Sequence, residues 1–97
     1  MTKTILLTGS GGFIGSILKE YFARKFNLLT PRSYELDLCD KEEVKRYIEN
    51  YTIDLIIHCS SKGGMRGIVD SEKIENDNLN MVKNILNFKK ANTKIVS

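Results

Sequence analysis

The 97-residue chain lacks several features that would each define a class of protein. No apolar run approaches the roughly 18 residues of a membrane-spanning helix, and the start of the chain does not resemble a signal peptide. The 15 Lys and Arg residues are scattered, and the net charge is only +3, so no basic block indicates nucleic-acid binding. We therefore expect a cytoplasmic protein with neither a membrane nor a nucleic-acid partner.

Cysteine is also scarce. Cys39 and Cys59 stand alone, in a spacing that matches no metal-binding or redox motif. We therefore expect both cysteines to be reduced and to have a structural role, and we expect no metal site. The composition, 41% hydrophobic and 28% charged, is that of an ordinary globular domain with one modest core.

What the chain does contain is an alternation of strand-like and helix-like segments. The run Thr4–Thr8 predicts a buried strand. Apolar residues then recur every three or four positions and predict a helix over residues 13–26 with one face on a sheet. Those residues are Phe13, Ile14, Ile17, Leu18, Tyr21, Phe22 and Phe26.

The later segments continue this alternation. A strand over residues 27–30 precedes a helix that Asp40 caps, with acidic residues in its first turn. A strand over 54–58 precedes a long helix over 71–91, and residues 94–97 begin a fourth strand. The apolar positions expected to face inward are Val44, Tyr47, Ile48 and Tyr51 in the second helix, and Ile74, Met81, Val82, Ile85 and Leu86 in the third.

Strands that alternate with helices in this way form right-handed βαβ units. The fold class predicted is α/β, a Rossmann-like doubly wound parallel sheet in three α/β/α layers. Residues 1–97 are expected to be the N-terminal part of one such domain, because the sequence stops within a strand that leaves a sheet edge to be covered. We therefore expect the chain to be the N-terminal part of a longer protein.

The stretch "TGSGGFIG" lies between the first strand and the first helix, where a pyrophosphate binds to backbone N–H groups. The pattern is Gly9-x-x-Gly12-x-x-Gly15. It differs from the G-x-G-x-x-G fingerprint, which would need glycine in place of Ile14, and no phosphate-loop Gly-Lys-Ser/Thr follows. A turn that serves packing alone is the weaker alternative. The cofactor-binding residues predicted here are Gly9, Ser10, Gly11, Gly12, Phe13, Ile14 and Gly15.

The end of the second strand bears on the choice between NADP and NAD. NAD-binding folds place an acid there for the ribose 2′-hydroxyl, whereas this chain has Arg32 and Ser33, which could hold a 2′-phosphate. NADP is thus favoured, although NAD stays open, as does a surface role for Arg32. Glu35 is the main competitor, since a tighter turn would bring its carboxylate to the ribose. Asp37 is expected near the adenine edge, with Leu38 beneath the ring.

These residues resemble the extended short-chain dehydrogenase/reductase family, the NAD(P)-dependent sugar-nucleotide epimerases and dehydratases. The resemblance covers the whole chain and depends on "TGSGGFIG", the block from "ELDLCD" to "SSKGG", and "ENDNLNMVKNIL". Within the family the likeness is closest to the GDP-fucose synthase subfamily, through Arg32-x-x-Glu35-Leu36 and the Gly63-Gly64 loop after Lys62. It implies an NADP-dependent epimerase/reductase with a nucleotide-sugar substrate; a homodimer is compatible with it.

The resemblance also implies further site residues. Cys59, Ser60 and Ser61 would line the cofactor near its pyrophosphate and nicotinamide ribose, although the family usually has alanines there. Asn78 matches an asparagine on the long helix that supports the active site; a capped or solvated polar residue is its alternative. His58 is assigned no role. These residues, with those of the glycine turn and the second strand, complete the predicted cofactor site.

The family's catalytic Ser/Thr and Tyr-x-x-x-Lys pair would come after Ser97, so no catalytic residue is assigned here. Tyr21 and Lys25 satisfy that spacing by accident, because they belong to the first helix. We expect the 97-residue chain alone to be inactive. A second hypothesis is a regulatory or redox-sensing module that binds NAD(P) without catalysis, and a third is a fragment that binds nothing; the downstream sequence would separate the first two.

Overall fold

The computed structural model describes residues 2–61 and 72–96. Lys62, the Gly63-Gly64 loop, Ser71 and Ser97 lie outside the described residues. The strands are β1 (Thr4–Thr8), β2 (Asn27–Leu29), β3 (Leu55–His58) and β4 (Lys94–Val96), and the helices are α1 (Phe13–Phe22), α2 (Lys41–Asn50) and α3 (Glu72–Phe88). The predicted alternation of strands and helices is confirmed. The prediction for α1 ran too far, since residues 23–25 form a turn.

The four strands form one parallel sheet in the order β2-β1-β3-β4. Strand β1 is central, with Leu6 opposite Leu29 on one side and Thr8 opposite His58 on the other. The chain therefore passes from β1 to one side and then crosses to the other. The space beyond the carboxyl ends of β1 and β3 is the switch point at which doubly wound sheets bind ligands.

The main core lies on the face of the sheet that α2 and α3 cover. Leu6 and Ile56 from the strands pack there with Val44 and Ile48 from α2 and with Ile85 from α3, each at most 4% exposed. No residue of α1 belongs to this core; α1 contacts β1, and right-handed crossovers place it on the opposite face. The three-layer α/β/α arrangement is thus confirmed.

The apolar stripe of α1 is only partly buried, contrary to the expectation that all of it faces the sheet. A helix presents one stripe to a flat surface, and seven apolar positions cover more than one. Leu18 and Phe22 face inward and are half-buried. The residues that are instead exposed are Phe13 (80%), Ile14 (58%), Ile17 (51%) and Tyr21 (60%).

The other helices follow their sequence signals more closely. Asp40 caps α2 as predicted, because its Oδ1 accepts hydrogen bonds from the amides of Glu42 (3.0 Å) and Glu43 (3.3 Å). Tyr51 is exposed rather than inward, since α2 ends before it, and Leu86 of α3 is also exposed. No helix of the described residues is long and apolar enough to span a bilayer.

Candidate functional site

The glycine turn connects β1 to α1 through residues 9–12. Gly9 has φ +75°, a conformation that side chains rarely adopt, and its carbonyl accepts the amide N–H of Gly12 at 3.1 Å. A Cβ on Gly9 would lie 2.7 Å from backbone atoms of Cys59 and Ser60. Glycine at this position is therefore needed both for the backbone conformation and for the close approach of the chain after β3.

Gly15 and Gly12 differ in what surrounds them. A Cβ on Gly15 would overlap the carbonyl oxygen of Gly9, so this glycine allows α1 to pack against the turn. A Cβ on Gly12 would meet only the Gly9 oxygen, at an ordinary 3.5 Å, and Gly12 has an extended backbone (φ −80°, ψ 176°) that any residue adopts. Packing within the described residues thus requires Gly15 but leaves the space beside Gly12 open.

The start of α1 offers unpaired backbone donors. No side chain caps the helix at Gly12, and its first turn contains no acidic residue. The first amides of any helix have no acceptor within it, and they carry the positive end of the helix dipole. A negatively charged group in the open space beside Gly12 would be stabilised there, so the residues present fit the pyrophosphate of a dinucleotide.

Ser10 is 4% exposed, and its hydroxyl has no hydrogen-bond partner in the part of the chain that the structure describes. A buried hydroxyl without a partner costs free energy.

Gly11, beside Ser10, is exposed, and a Cβ there would overlap Nη1 of Arg32. The turn after β1 and the connection after β2 therefore touch at Gly11 and Arg32.

Arg32 begins a single tight turn after β2. Its carbonyl oxygen accepts the amides of Glu35 (2.8 Å) and Leu36 (2.9 Å). Among residues 2–61 and 72–96, no acidic side chain forms an ion pair with its guanidinium. The turn thus brings an uncompensated positive charge to the edge of the glycine turn, where a second anionic group could be held.

Thr8 connects the ends of β1 and β3. Its Oγ1 accepts the amides of Cys59 (3.1 Å) and Ser60 (3.2 Å) and lies 2.7 Å from Nδ1 of His58. Because two N–H groups already occupy its lone pairs, the Thr8 hydroxyl donates to Nδ1, which leaves the His58 proton on Nε2. Burial lowers the pKa of His58, which favours this neutral form.

These elements surround one open cleft of about 950 Å³ at the carboxyl edge of the sheet. Its lining includes every predicted cofactor residue except Asn78, which lies half-buried in α3 and is not among the described lining residues. The predicted residues brought together are Gly9, Ser10, Gly11, Gly12, Phe13, Ile14, Gly15, Arg32, Ser33, Asp37, Leu38, Cys59, Ser60 and Ser61. Their roles stay predictions.

Asp37 and Leu38 enter the cleft under local constraint. Asp37 uses Oδ1 to accept the amide of Cys39 at 2.9 Å, and the Leu38 carbonyl accepts Nδ2 of Asn84 from α3 at 2.8 Å. Leu38 is 7% exposed and belongs to the core, so it offers a ligand the edge of a packed side chain rather than a free surface.

Sequence reasoning missed some lining residues. Thr8 stands directly before the glycines, and its hydroxyl could have been read as a link between strand ends. Tyr34, 86% exposed, lies at the rim, and Met81 reaches the cleft from α3 although its spacing predicted only an inward position. No group of three His, Cys, Asp or Glu residues within the described ranges could hold a metal ion.

The chain matches the profile of the NAD dependent epimerase/dehydratase family over residues 5–96. It is 34% identical over 91 residues to GDP-L-colitose synthase of Yersinia pseudotuberculosis. This alignment covers 91% of the present chain and 30% of that protein. The chain therefore spans less than a third of that relative.

Two solved structures are also similar. MlghC, the GDP-mannoheptose C4 reductase from Campylobacter jejuni with NADP bound, has a TM-score of 0.79 at 21% identity, covering 89% of this chain and 26% of that one. The GDP-L-fucose synthetase of Naegleria fowleri bound to NADP has a TM-score of 0.72 at 27% identity, covering 88% and 27%. The family match spans nearly the whole chain and agrees with the glycine turn: the chain belongs to the NAD dependent epimerase/dehydratase family.

Proposed function

We propose that this chain is the cofactor-binding part of an NADP-dependent epimerase/reductase that acts on a GDP-linked keto-deoxy sugar. The observation that carries the proposal is the cleft in which the open side of Gly12, the uncapped start of α1 and the Arg32 guanidinium, which has no ion-pair partner within residues 2–61 and 72–96, come together. Similarity to a GDP-L-colitose synthase and to a GDP-L-fucose synthetase supports the substrate class.

The chain's own residues bind and orient the cofactor. The amides of the first turn of α1 would hold the pyrophosphate, with Gly12 leaving room for its close approach, while Arg32 and Ser33 would hold the 2′-phosphate. Asp37 and Leu38 line the part of the cleft where the adenine would lie, and Cys59, Ser60 and Ser61 would lie near the nicotinamide ribose. When bound, the cofactor supplies the hydride that reduces a keto group.

Thr8 contributes by holding the amides of Cys59 and Ser60. This contact fixes the segment after β3 against the end of β1. The distance between that segment and the glycine turn, both of which line the cleft, therefore stays constant. An orienting site needs such support, since small displacements of a bound reactant are costly for catalysis.

We place the protein in the cytoplasm. Cys39 and Cys59 form no disulfide among the described residues, which fits a reducing compartment. A homodimer of the whole enzyme is compatible with this function, and sedimentation analysis would give its mass.

The proposal is tested by incubating the full-length protein with NADPH and a GDP-4-keto-6-deoxyhexose in D₂O. We expect loss of NADPH absorbance and deuterium at ring carbons beside the keto group, because epimerisation exchanges those protons with solvent. Binding of NADPH without turnover of GDP-, dTDP- or UDP-linked keto sugars would instead support a regulatory NAD(P)-binding module.

A further inference from the structure

Glu35 is the acidic residue nearest in sequence to Arg32, and its carboxylate is turned away from the cleft. Glu35 is not among the described lining residues, although Arg32, Ser33, Tyr34 and Leu36 all are. Its Oε1 instead accepts the backbone N–H of Arg32 at 3.0 Å. The carboxylate is thus engaged with the main chain of the turn that carries the guanidinium.

The hydrogen bonds between Arg32 and Glu35 are reciprocal. While the Glu35 side chain accepts from the Arg32 amide, the Arg32 carbonyl accepts from the Glu35 amide at 2.8 Å and from the Leu36 amide at 2.9 Å. The Glu35 side chain thus makes the contact that the N3 Glu makes in a capping box, while the other two hydrogen bonds of this single turn come from the Arg32 carbonyl. Leu36 is 5% exposed in the core, so the end of the turn is fixed and Glu35 fixes its beginning.

The same arrangement determines where two charges lie. The Arg32 guanidinium extends to Gly11 at the cleft, and no ion pair joins it to Glu35. The Glu35 carboxylate is instead held on the Arg32 amide. Burial, then Tyr51, then Glu35 raise the pKa of Tyr47 in α2 to about 12, so the charge of Glu35 also acts on that helix. The turn therefore presents the guanidinium at the cleft while it holds the carboxylate on its own main chain.

We infer that Glu35 is a positioning residue for cofactor choice: by accepting the Arg32 amide, its carboxylate holds the turn that presents the guanidinium beside Gly11 and keeps its own charge off the ribose. The inference rests on the proposed NADP-binding function. The sequence alone suggested that Glu35 competes with a 2′-phosphate for this position. In the inferred role Glu35 instead supports binding of that phosphate.

The test compares the NADPH and NADH affinities of the full-length protein by calorimetry, in the wild type and in Glu35→Ala and Glu35→Gln. Glu35→Ala removes the hydrogen bond to the Arg32 amide, so the Arg32 side chain has to be ordered again when the cofactor binds. We therefore expect the preference for NADPH to fall roughly two- to ten-fold. Glu35→Gln keeps an oxygen that accepts the Arg32 amide and should retain the preference. Glu49→Ala, a loss of one exposed acid in α2, is the matched control and should change neither affinity.

A second measurement needs no cofactor. Hydrogen exchange of the Arg32 amide, followed by NMR in the ligand-free protein, should be faster in Glu35→Ala than in the wild type and Glu35→Gln. An unchanged rate would show that the carboxylate does not hold this amide.

The outcomes separate the two proposals. If the wild type binds neither dinucleotide, the proposed function fails and the role of Glu35 fails with it. Three results in a wild type that prefers NADPH would overturn the positioning role alone. Glu35→Ala could keep the preference, it could lose affinity for NADPH and NADH equally, or Glu35→Gln could lose as much of the preference as Glu35→Ala does.

Discussion

The two connections that form the cleft are built in opposite ways. Residues 9–12 join β1 to α1 by a turn whose shape depends on the backbone. Backbone atoms crowd the position that a Cβ would take at Gly9 and Gly15, whereas the space beside Gly12 is open. Residues 30–40 join β2 to α2 with side chains that cap, pack and project: Glu35 on an amide, Leu36 in the core and Arg32 at the rim. A site formed by the absence of side chains tolerates few substitutions, whereas one formed by their placement is adjustable.

Gly15→Ala should break the first connection most severely. Its Cβ would overlap the backbone of Gly9, which has no room to move against Cys59 and Ser60, so we expect a loss of about 3 kcal/mol or more in the free energy of unfolding. Gly12→Ala is the matched control, with an expected cost of about 1 kcal/mol for a less favourable helix cap. Urea denaturation of the full-length protein measures both. Equal losses would refute the contrast between the two glycines.

Gly12→Val should separate binding from folding in the same connection. The extended backbone at Gly12 accepts valine, but the branched side chain fills the space next to the amides of α1. We expect NADPH affinity to fall at least about 100-fold, equivalent to losing two charge-assisted hydrogen bonds, with circular dichroism unchanged. Unaltered affinity by calorimetry would show that this turn is not the phosphate site.

Arg32→Ala should alter the second connection without damaging the first. We expect the wild type to prefer NADPH over NADH by roughly ten- to a hundred-fold, from about 1.5–3 kcal/mol of hydrogen bonds to a charged group, and the variant to lose that preference. Added salt should weaken the preference, since the contact is exposed. Arg46→Ala, an exposed arginine of α2, is the control. A preference that survives in Arg32→Ala would remove Arg32 from the site.

A smaller, pH-dependent effect should come from His58, which lies opposite Thr8 where the first connection begins. The folded-state pKa of His58 is lowered below the ordinary 6.5 by burial. As the pH falls through 6.5, the unfolded chain takes up a proton that the folded chain resists, so the free energy of unfolding should decrease. His58→Asn keeps an acceptor for the Thr8 hydroxyl and should flatten this dependence between pH 7.5 and 5, measured as the melting temperature. Parallel curves would assign the acid sensitivity to other groups.

The contrast between the two connections also explains how much the sequence could predict. Glycine spacing predicts the first connection directly, because the turn has no room for a Cβ at Gly9 or Gly15. The strands and the Asp40 cap likewise depend on local patterns. The direction of the Glu35 carboxylate depends on how one turn closes on Leu36, which no periodicity encodes. The same limit applies to α1, where the repeat predicted a helix but not which stripe would stay exposed.

Calorimetric titration of the full-length wild-type protein with NADPH and with NADH tests whether this cleft binds NADP. We predict that one molecule of either dinucleotide binds per chain, that each displaces the other, and that NADPH binds roughly ten- to a hundred-fold more tightly. No binding of either dinucleotide would show that the cleft is not the cofactor site, and equal affinities for the two would show that it does not select NADP.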